Sequence, residues 1–184
     1  LSGYFGGRLD MVMQRFVDAL LAFPNLILAM IIVVVLQPTL MNVVITIAII
    51  LVSPTVRVIR SAAISVKANE YVQAARAIGA SDLRILLRHA APNCMAPFIV
   101  LTTAQISTAI LTEATLGFLG LGIRPPTPTW GSMLSEGRQY VQIAPWMAIY
   151  PGVAVSLAVY GFNLLGDTLR DELDPRLRGS GRQT

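Results

Sequence analysis

The chain has 184 residues, of which only 13% are charged, and its mean hydropathy is +0.65. Soluble domains carry about 25% charged residues, so this composition excludes an ordinary soluble domain and indicates a membrane protein. The formal net charge is +4. A nucleic acid partner is not required to explain this excess of basic residues, because membrane proteins also concentrate them on one side of the membrane.

The first residues, LSGYFGG, are typical of the end of an apolar segment followed by a glycine turn. No basic stretch precedes an apolar run with a small-residue cleavage site, so no signal peptide is visible. The chain starts at Leu1 rather than at a methionine, and we expect earlier membrane spans to be missing from it.

Long uncharged runs follow. No charged residue lies between Asp18 and Arg57, a run long enough for two spans of about 20 residues that LQPT (36–39) divides. Two more uncharged runs cover 89–112 and 139–166. A buried helix in a soluble core is the alternative, but the chain has too little polar sequence to surround one. The predicted spans are about 17–36, 40–58, 94–116 and 144–166.

A charged segment, about 61–92, separates the second and third predicted spans and contains EYVQAARAIGASDLRILLRHAAPN. Its first part has helical periodicity. Gly79 is placed to end that helix as the residue after the cap, and Ser81 and Asp82 can cap a second short helix that Pro92 closes. The predicted apolar faces are Ala68, Tyr71, Val72, Ala75 and Ile78 in the first helix, and Leu83, Leu86, Leu87 and Ala90 in the second.

Two interpretations of this segment remain open. Its arginines suit an amphipathic helix that lies flat on an anionic membrane surface. Glu70 and the small exposed alanines fit a protein surface better, and physical reasoning favours docking only slightly.

The segment after the third span, 117–143, contains GFLGLG and the stiff proline-rich stretch RPPTPTW. We interpret GFLGLG as a close-packing turn rather than a nucleotide site, because it follows a span. The whole segment is either a rigid connector or a cap over the mouth of a path, and the sequence does not decide between them.

Several polar residues fall within or near the predicted spans. Asp18 and Glu113 lie near span ends, where an acid is a functional candidate but can also reach water. Asn25, Gln105 and Asn163 more often bond neighbouring helices than bind cargo. Asn25, Gln105 and Glu113 are the candidates for residues that line a path. Four prolines can bend the spans: Pro24, Pro54, Pro97 and Pro151.

No enzyme site is evident. The chain has one histidine, the single Cys94 and no phosphate-binding loop of the G-x-x-x-x-G-K-[ST] type, so we expect neither catalysis nor a metal site. The tail from Asp167 to Arg178 is predicted to form a short helix that Pro175 ends.

The basic residues predict the orientation. With four spans, both ends and the central segment share one side, and the positive-inside rule places that side in the cytoplasm. Its twelve basic residues are Arg8, Arg15, Arg57, Arg60, Lys67, Arg76, Arg84, Arg88, Arg170, Arg176, Arg178 and Arg182. The other side has Arg124 and Arg138, together with Trp130 and Trp146 near the outer interface.

The spacing of Gln73-Ala74-Ala75, Gly79 and Pro92 resembles the EAA loop of permease subunits in bacterial ABC importers. Gln73 stands at the position of the family's glutamate, His89 at that of its isoleucine and Ala91 at that of its leucine. The stretches FLGLGIRPPTPTWGSML and NLLGDTLRDELDPRLR are also similar to the dipeptide/oligopeptide/nickel permeases, most of all to the dipeptide-type C subunit. The resemblance covers essentially all 184 residues.

The resemblance implies a single all-α transmembrane domain of MetI-like permease fold, with four of about six spans present in residues 1–184. It also implies a multi-pass protein of the bacterial inner membrane, paired with a second permease subunit. Two ATPase subunits that bind ATP and Mg, and a periplasmic or lipid-anchored binding protein, would complete the importer. The residues to which it assigns coupling to the ATPase are Glu70, Tyr71, Gln73, Ala74, Ala75, Gly79 and, for the geometry of the loop, Pro92.

Peptides are the substrate that the resemblance implies, with nickel or another small solute as alternatives. A self-sufficient secondary carrier would more often show inverted repeats and buried ion-binding acids, and neither is evident. A membrane anchor without a path is the third possibility. No cofactor is expected in this chain itself.

Overall fold

The computed structural model describes residues 2–173, and helices connected by turns account for the secondary structure of that range. The elements in chain order are α1 (Ser2–Phe5), α2 (Gly7–Leu21), α3 (Asn25–Leu36), α4 (Leu40–Lys67), α5 (Glu70–Ala77), α6 (Asp82–Ile85), a π turn (Leu86–Ala90), α7 (Ala91–Phe118), α8 (Trp130–Gly137), a 3₁₀ turn (Arg138–Tyr140) and α9 (Trp146–Leu173). The predicted all-α fold class is confirmed. The predicted end of the tail helix at Pro175 lies outside the described residues.

Three helical segments are long and apolar enough to cross a membrane: α4, the continuous rod of 37 residues from Asp82 to Phe118, and α9. The pair α2 and α3 makes a fourth if it is counted as one bent span. At about 1.5 Å per residue, the 28 residues of α4 extend about 42 Å, which exceeds a hydrocarbon core of roughly 30 Å. One end of α4 therefore projects beyond the membrane core.

The predicted span 17–36 is divided between two helices. α2 ends at Leu21, α3 begins at Asn25, and the two are bent by 94° at the break. Pro24 explains the break, because proline has no N–H to donate and pushes the preceding residue out of helical geometry. The other three prolines, Pro54, Pro97 and Pro151, lie inside continuous helices.

The remaining predicted spans correspond to α4, α7 and α9. The spans 40–58 and 94–116 fall inside α4 and α7, the span 144–166 begins two residues before α9, and each helix continues further. α4 and α9 extend at their C-terminal ends, and the rod extends at its N-terminal end. The extensions carry charged side chains such as Arg60, Lys67 and Arg170, which hydropathy excludes from a span although they do not interrupt a helix.

α7 occupies the centre of the bundle and packs against α9, α4 and α8, while α3 packs on α4. Ala29, Val33, Val43, Ile50 and Leu116 form the buried cluster between α3, α4 and α7. The chain itself buries little of these helices: of the most apolar 18 residues in each, 22% are buried in α4, 17% in the rod and 11% in α9. These helices therefore need lipid or further protein around them.

The segment between α7 and α9 folds back onto both helices through glycine contacts. A Cβ on Gly131 would lie 2.6 Å from the carbonyl oxygen of Ala114, and one on Gly137 would lie 2.8 Å from the carbonyl carbon of Met147. A Cβ on Gly122 would lie only 2.5 Å from the Cα of Gly117. GFLGLG is therefore the close-packing turn that the sequence predicts. Because α8 contacts the backbone of α7 at Gly131 and that of α9 at Gly137, this segment is fixed on the bundle.

Candidate functional site at the charged end of the helices

One end of the helices, which we name the charged end, carries most of the basic residues. The end of α4, the start of α7 and the end of α9 meet there, since Val58, Pro92 and Leu173 line one cavity of about 730 Å³. The described basic residues on the elements at this end are Arg8, Arg15, Arg57, Arg60, Lys67, Arg76, Arg84, Arg88 and Arg170. Arg124 and Arg138 lie beyond the opposite end of α7. Arg176, Arg178 and Arg182 lie outside the described residues.

At the charged end, α5 forms a short helix between α4 and the rod. Gly79 ends it in a left-handed conformation with φ of +85°. The N–H of Ala80 donates to the carbonyl of Ala75 (3.1 Å), and the N–H of Gly79 donates to that of Arg76 (3.0 Å). This pair of bonds is the Schellman motif, so the predicted role of Gly79 as the residue after the cap is confirmed.

The predicted apolar face of α5 is only partly correct. Val72 is buried at 2% exposure and Ala75 is half-buried, but Tyr71 and Ile78 are 44% and 86% exposed. Ala68, also predicted on that face, is exposed. α5 has only eight residues, and little more than one turn of it packs on the bundle. Its other apolar side chains therefore remain exposed on the surface of the chain.

The second short helix does not end at Pro92 as predicted. Ser81 caps it, with its hydroxyl accepting from the N–H of Arg84 (3.4 Å), but the helix then continues through the π turn into α7. The π turn shifts the hydrogen-bond register just before Pro92 and so accommodates a residue without an N–H.

The same π turn changes which side chains face the bundle. Ile85, Leu86 and Ala90 are buried, whereas Leu83 and Leu87, predicted on the apolar face, are exposed by 61% and 62%. The prediction assumed one regular helical period, and a π turn breaks that period.

The structure brings six of the seven predicted coupling residues into one helix–turn at the charged end. Ala75 is half-buried, and the exposed residues are Glu70, Tyr71, Gln73, Ala74 and Gly79. Pro92, the seventh, lies at the start of α7 within the rod and lines the 730 Å³ cavity together with Asn93 and Arg170.

Gln73, which replaces the family's glutamate, has a contact of its own. Its amide nitrogen donates to the carbonyl oxygen of Ala68 at the end of α4 (3.1 Å). A carboxylate has no proton to donate in this position. The glutamine therefore fits the connection between α4 and α5.

Ion pairs join the elements of the charged end. Arg60 on α4 holds Asp10 on α2 through Nε and Nη2, with a shortest distance of 2.6 Å, and the Asp10 residue is only 8% exposed. Arg57 pairs with Asp18 at 2.6 Å, so this acid serves a contact between α2 and α4. Sequence reasoning did not select Asp10, because its partner is 50 residues away.

Arg76 and Asp82 link α5 to α6 at 2.8 Å, and this hydrogen bond raises the pKa of the guanidinium. Tyr4 of α1 also reaches this pair and is buried beneath it. Sequence reasoning did not select Tyr4 either, since an isolated tyrosine near a glycine turn gives no signal of a contact 78 residues away.

The three predicted path residues lie at separate positions. Asn25 is exposed at the start of α3. The amide of Gln105 donates to Leu51 O (3.2 Å) and Thr55 Oγ1 (2.9 Å), so it joins α7 to α4 next to Pro54. Glu113 lies eight residues beyond Gln105, which is about 12 Å further along α7.

Glu113 faces a cavity of about 490 Å³ beside α8, lined also by Pro128, Trp130 and Met133. Its Oε1 atom is buried and has no hydrogen-bond partner among the described residues. Thr129, the capping residue of α8, also lines this cavity. Glu113 thus lines a cavity and has one buried oxygen, Oε1, without a partner in the described part of the chain.

Comparison with known proteins gives one family. Residues 1–179 match the family described as "Binding-protein-dependent transport system inner membrane component". The chain is 47% identical over 178 residues to a dipeptide transport system permease protein of Alkalihalophilus pseudofirmus, covering 97% of this chain and 59% of that protein.

Two other relatives are similar to the same extent. A di/tripeptide transport system permease protein of Pseudomonas aeruginosa is 46% identical over 98% of this chain and 59% of its own length. A glutathione transport system permease protein of Escherichia coli is 45% identical over 96% of this chain and 58% of its own length. The chain therefore spans about three fifths of the length of these curated relatives.

Proposed function

We propose that this chain, which belongs to the family of binding-protein-dependent transport system inner membrane components, forms the larger part of a permease subunit that imports peptides with energy from ATP. The three or four helices able to cross a membrane support a multi-pass subunit. Their exposed apolar faces support a second permease subunit and lipid as neighbours. The path for the substrate would run between the two permeases.

Peptides are the proposed substrate class because the relatives are named for dipeptides, for di- and tripeptides, and for glutathione, which is itself a tripeptide derivative. A periplasmic or lipid-anchored binding protein would deliver the peptide. Nickel or another small solute is the alternative cargo of the same type of importer.

The proposed orientation places the charged end in the cytoplasm. Nine of the eleven described basic residues belong to elements of that end, and basic residues are retained on the cytoplasmic side of a membrane. ATP is a cytoplasmic substrate, so the partner that hydrolyses it must reach this end. Two ATPase subunits, which bind ATP and Mg, are the proposed partners there.

The observation that carries the proposal is the exposed helix–turn of α5 and Gly79 at this end. Exposed apolar side chains at Tyr71 and Ile78 favour a protein socket, since their burial against a partner removes apolar surface from water. The small side chain of Ala74 lets a partner's surface approach the helix closely. Glu70 disfavours the alternative of an anionic lipid surface.

The coupling step follows from that contact. When ATP closes two ATPase subunits against each other, each socket carries its α5 with it. α5 lies between α4 and the rod and is joined to each by a short connection, and its displacement would re-pack the spans between an inward-open and an outward-open state. Gly79 sets the angle between α5 and the rod.

Glu113 is the proposed path residue. Its side chain lines a cavity that Trp130 also lines, and one of its carboxylate oxygens has no partner among the described residues. A carboxylate beside an aromatic face suits a cationic group, such as the amino terminus of a peptide. Asn25 and Gln105 remain weaker proposals, because Gln105 already uses its amide between helices.

The test combines purification and transport. The full-length subunit is expressed with the partner permease and ATPase subunits, purified in mild detergent and reconstituted with the binding protein. We expect ATPase subunits to co-purify and labelled dipeptide to accumulate only with ATP. Uptake that needs no ATPase would instead support a secondary carrier, and a complex with neither ATPase nor uptake would support a membrane anchor.

A further inference from the structure

Tyr4 is the largest fully buried side chain of the charged end. It is 1% exposed and packs against Val72 of α5, and Ile85, Leu86 and Ala90 of the rod. Val66 near the end of α4 packs against the same cluster. The ring thus fills the space where α4, α5 and the rod converge, although it comes from the short helix α1, 63 residues before Lys67.

Polar contacts hold Tyr4 to the same three elements. Its hydroxyl donates to Asp82 Oδ1 (3.2 Å) and accepts from Arg76 Nη2 (3.4 Å). Lys67 at the end of α4 donates to the carbonyl oxygen of Tyr4 (2.8 Å), and its ammonium lies 5.4 Å from the centre of the ring. Burial raises the pKa of Tyr4, so the hydroxyl keeps the proton that it donates to Asp82.

The covalent connections of α5 are slight by comparison. Only Ala68 and Asn69 separate α4 from α5, and only residues 78–81 separate α5 from the rod. Gly79, in the second connection, has no neighbouring atom within 4 Å of a Cβ placed on it. Backbone rotation in these connections, most of all at Gly79, can change the angle of α5, so side-chain contacts with α4 and the rod must hold it.

We propose that Tyr4 is a positioning residue for coupling: it braces α5 against α4 and the rod, so that a displacement of α5 moves both spans instead of being absorbed in the connections. This inference rests on the proposed function of α5. It also gives α1 a role in energy coupling, because the brace belongs to the short helix that precedes α2.

The test uses the full-length subunit in its reconstituted importer. Tyr4→Phe keeps the ring and removes both hydroxyl contacts, and Tyr4→Ala removes the ring as well. Tyr160→Phe is the matched control, since Tyr160 is 63% exposed on α9. The measured quantities are co-purified ATPase, ATP hydrolysis, and the amount of labelled dipeptide, glutathione or Ni²⁺ accumulated per ATP, using the solute that the wild type accumulates.

We expect Tyr4→Phe to retain its ATPase subunits and hydrolysis while uptake per ATP falls several-fold. Tyr4→Ala, where it assembles, should lower the ratio further, and Tyr160→Phe should leave it unchanged. Asp82→Ala, which removes the acceptor of the Tyr4 hydroxyl together with the partner of Arg76, should lower the ratio too. The double variant Tyr4→Phe/Asp82→Ala should be less impaired than the sum of the two single effects, because the two residues share one hydrogen bond.

A wild-type ratio in Tyr4→Phe would overturn the role of the hydroxyl, and a wild-type ratio in an assembled Tyr4→Ala would overturn the brace altogether. If Tyr4→Ala does not assemble, Tyr4→Phe and the double variant decide. Failure of the proposed function is distinguishable, because the wild type itself would then show no ATP-dependent uptake.

Discussion

Gly131→Ala tests the close packing of α8 on α7. The new Cβ would lie 2.6 Å from the carbonyl oxygen of Ala114 and 2.9 Å from the Cα of Gly117. Non-bonded carbon atoms sit about 3.5–4.0 Å apart, so the two helices would have to separate by about 1 Å. Both neighbours are backbone atoms that cannot rotate away, which places the cost near the upper end of the ~1–3 kcal/mol typical of overpacking.

The assay is thermal unfolding of the full-length subunit in detergent, followed by tryptophan fluorescence, which Trp130 beside the substituted residue makes sensitive to α8. A loss of ~3 kcal/mol should lower the Tm by several degrees, at about 2–4 °C per kcal/mol for a chain of this size. Gly161→Ala is the matched control: nothing lies within 4 Å of its Cβ, and alanine favours a helix interior by about 1 kcal/mol. Equal Tm values for Gly131→Ala and wild type would refute the packing.

Three further outcomes are expected. Gly79→Pro cannot adopt a φ of +85° and loses the N–H that bonds Arg76, so ATP hydrolysis should continue while uptake is abolished; normal uptake in this variant would remove the coupling role of the turn. Glu113→Gln should reduce uptake of peptides with a free amino terminus several-fold more than Glu136→Gln, an exposed acid on α8, and equal effects would argue against a path role. Gln73→Glu places a negative charge at the C-terminal end of α4 and loses the bond to Ala68, so the Tm should fall by about 1–3 °C at low salt and recover partly at high salt; a higher Tm would contradict the hydrogen bond.

Local features of the sequence predicted much of the fold. Uncharged runs located α4, α7 and α9, because hydropathy reports directly on contact with lipid. Gly79 was predictable as a helix end, since a left-handed position after the cap favours glycine for steric reasons. Pro24 indicated a bend, but its size of 94° depends on how α2 packs against α4 and could not be read from the chain.

Features that depend on distant pairs or on an altered helical period were not predictable. The contacts of Asp10 with Arg60 and of Tyr4 with Asp82 join residues 50 and 78 positions apart, and one sequence gives no measure of such pairing. The π turn at residues 86–90 changes the buried face of the rod, so Ile85 is buried where the regular period assigned Leu83 and Leu87.

The most direct test of the coupling role is a photo-crosslinker at position 74, in the exposed helix–turn, of the full-length subunit in native membranes. The same crosslinker at position 160, exposed on α9, is the control. We predict a covalent adduct with an ATPase subunit from position 74, altered in yield when ATP is trapped, and no ATPase adduct from position 160. An ATPase adduct from both positions, or only lipid adducts from position 74, would contradict the docking of α5 on the ATPase.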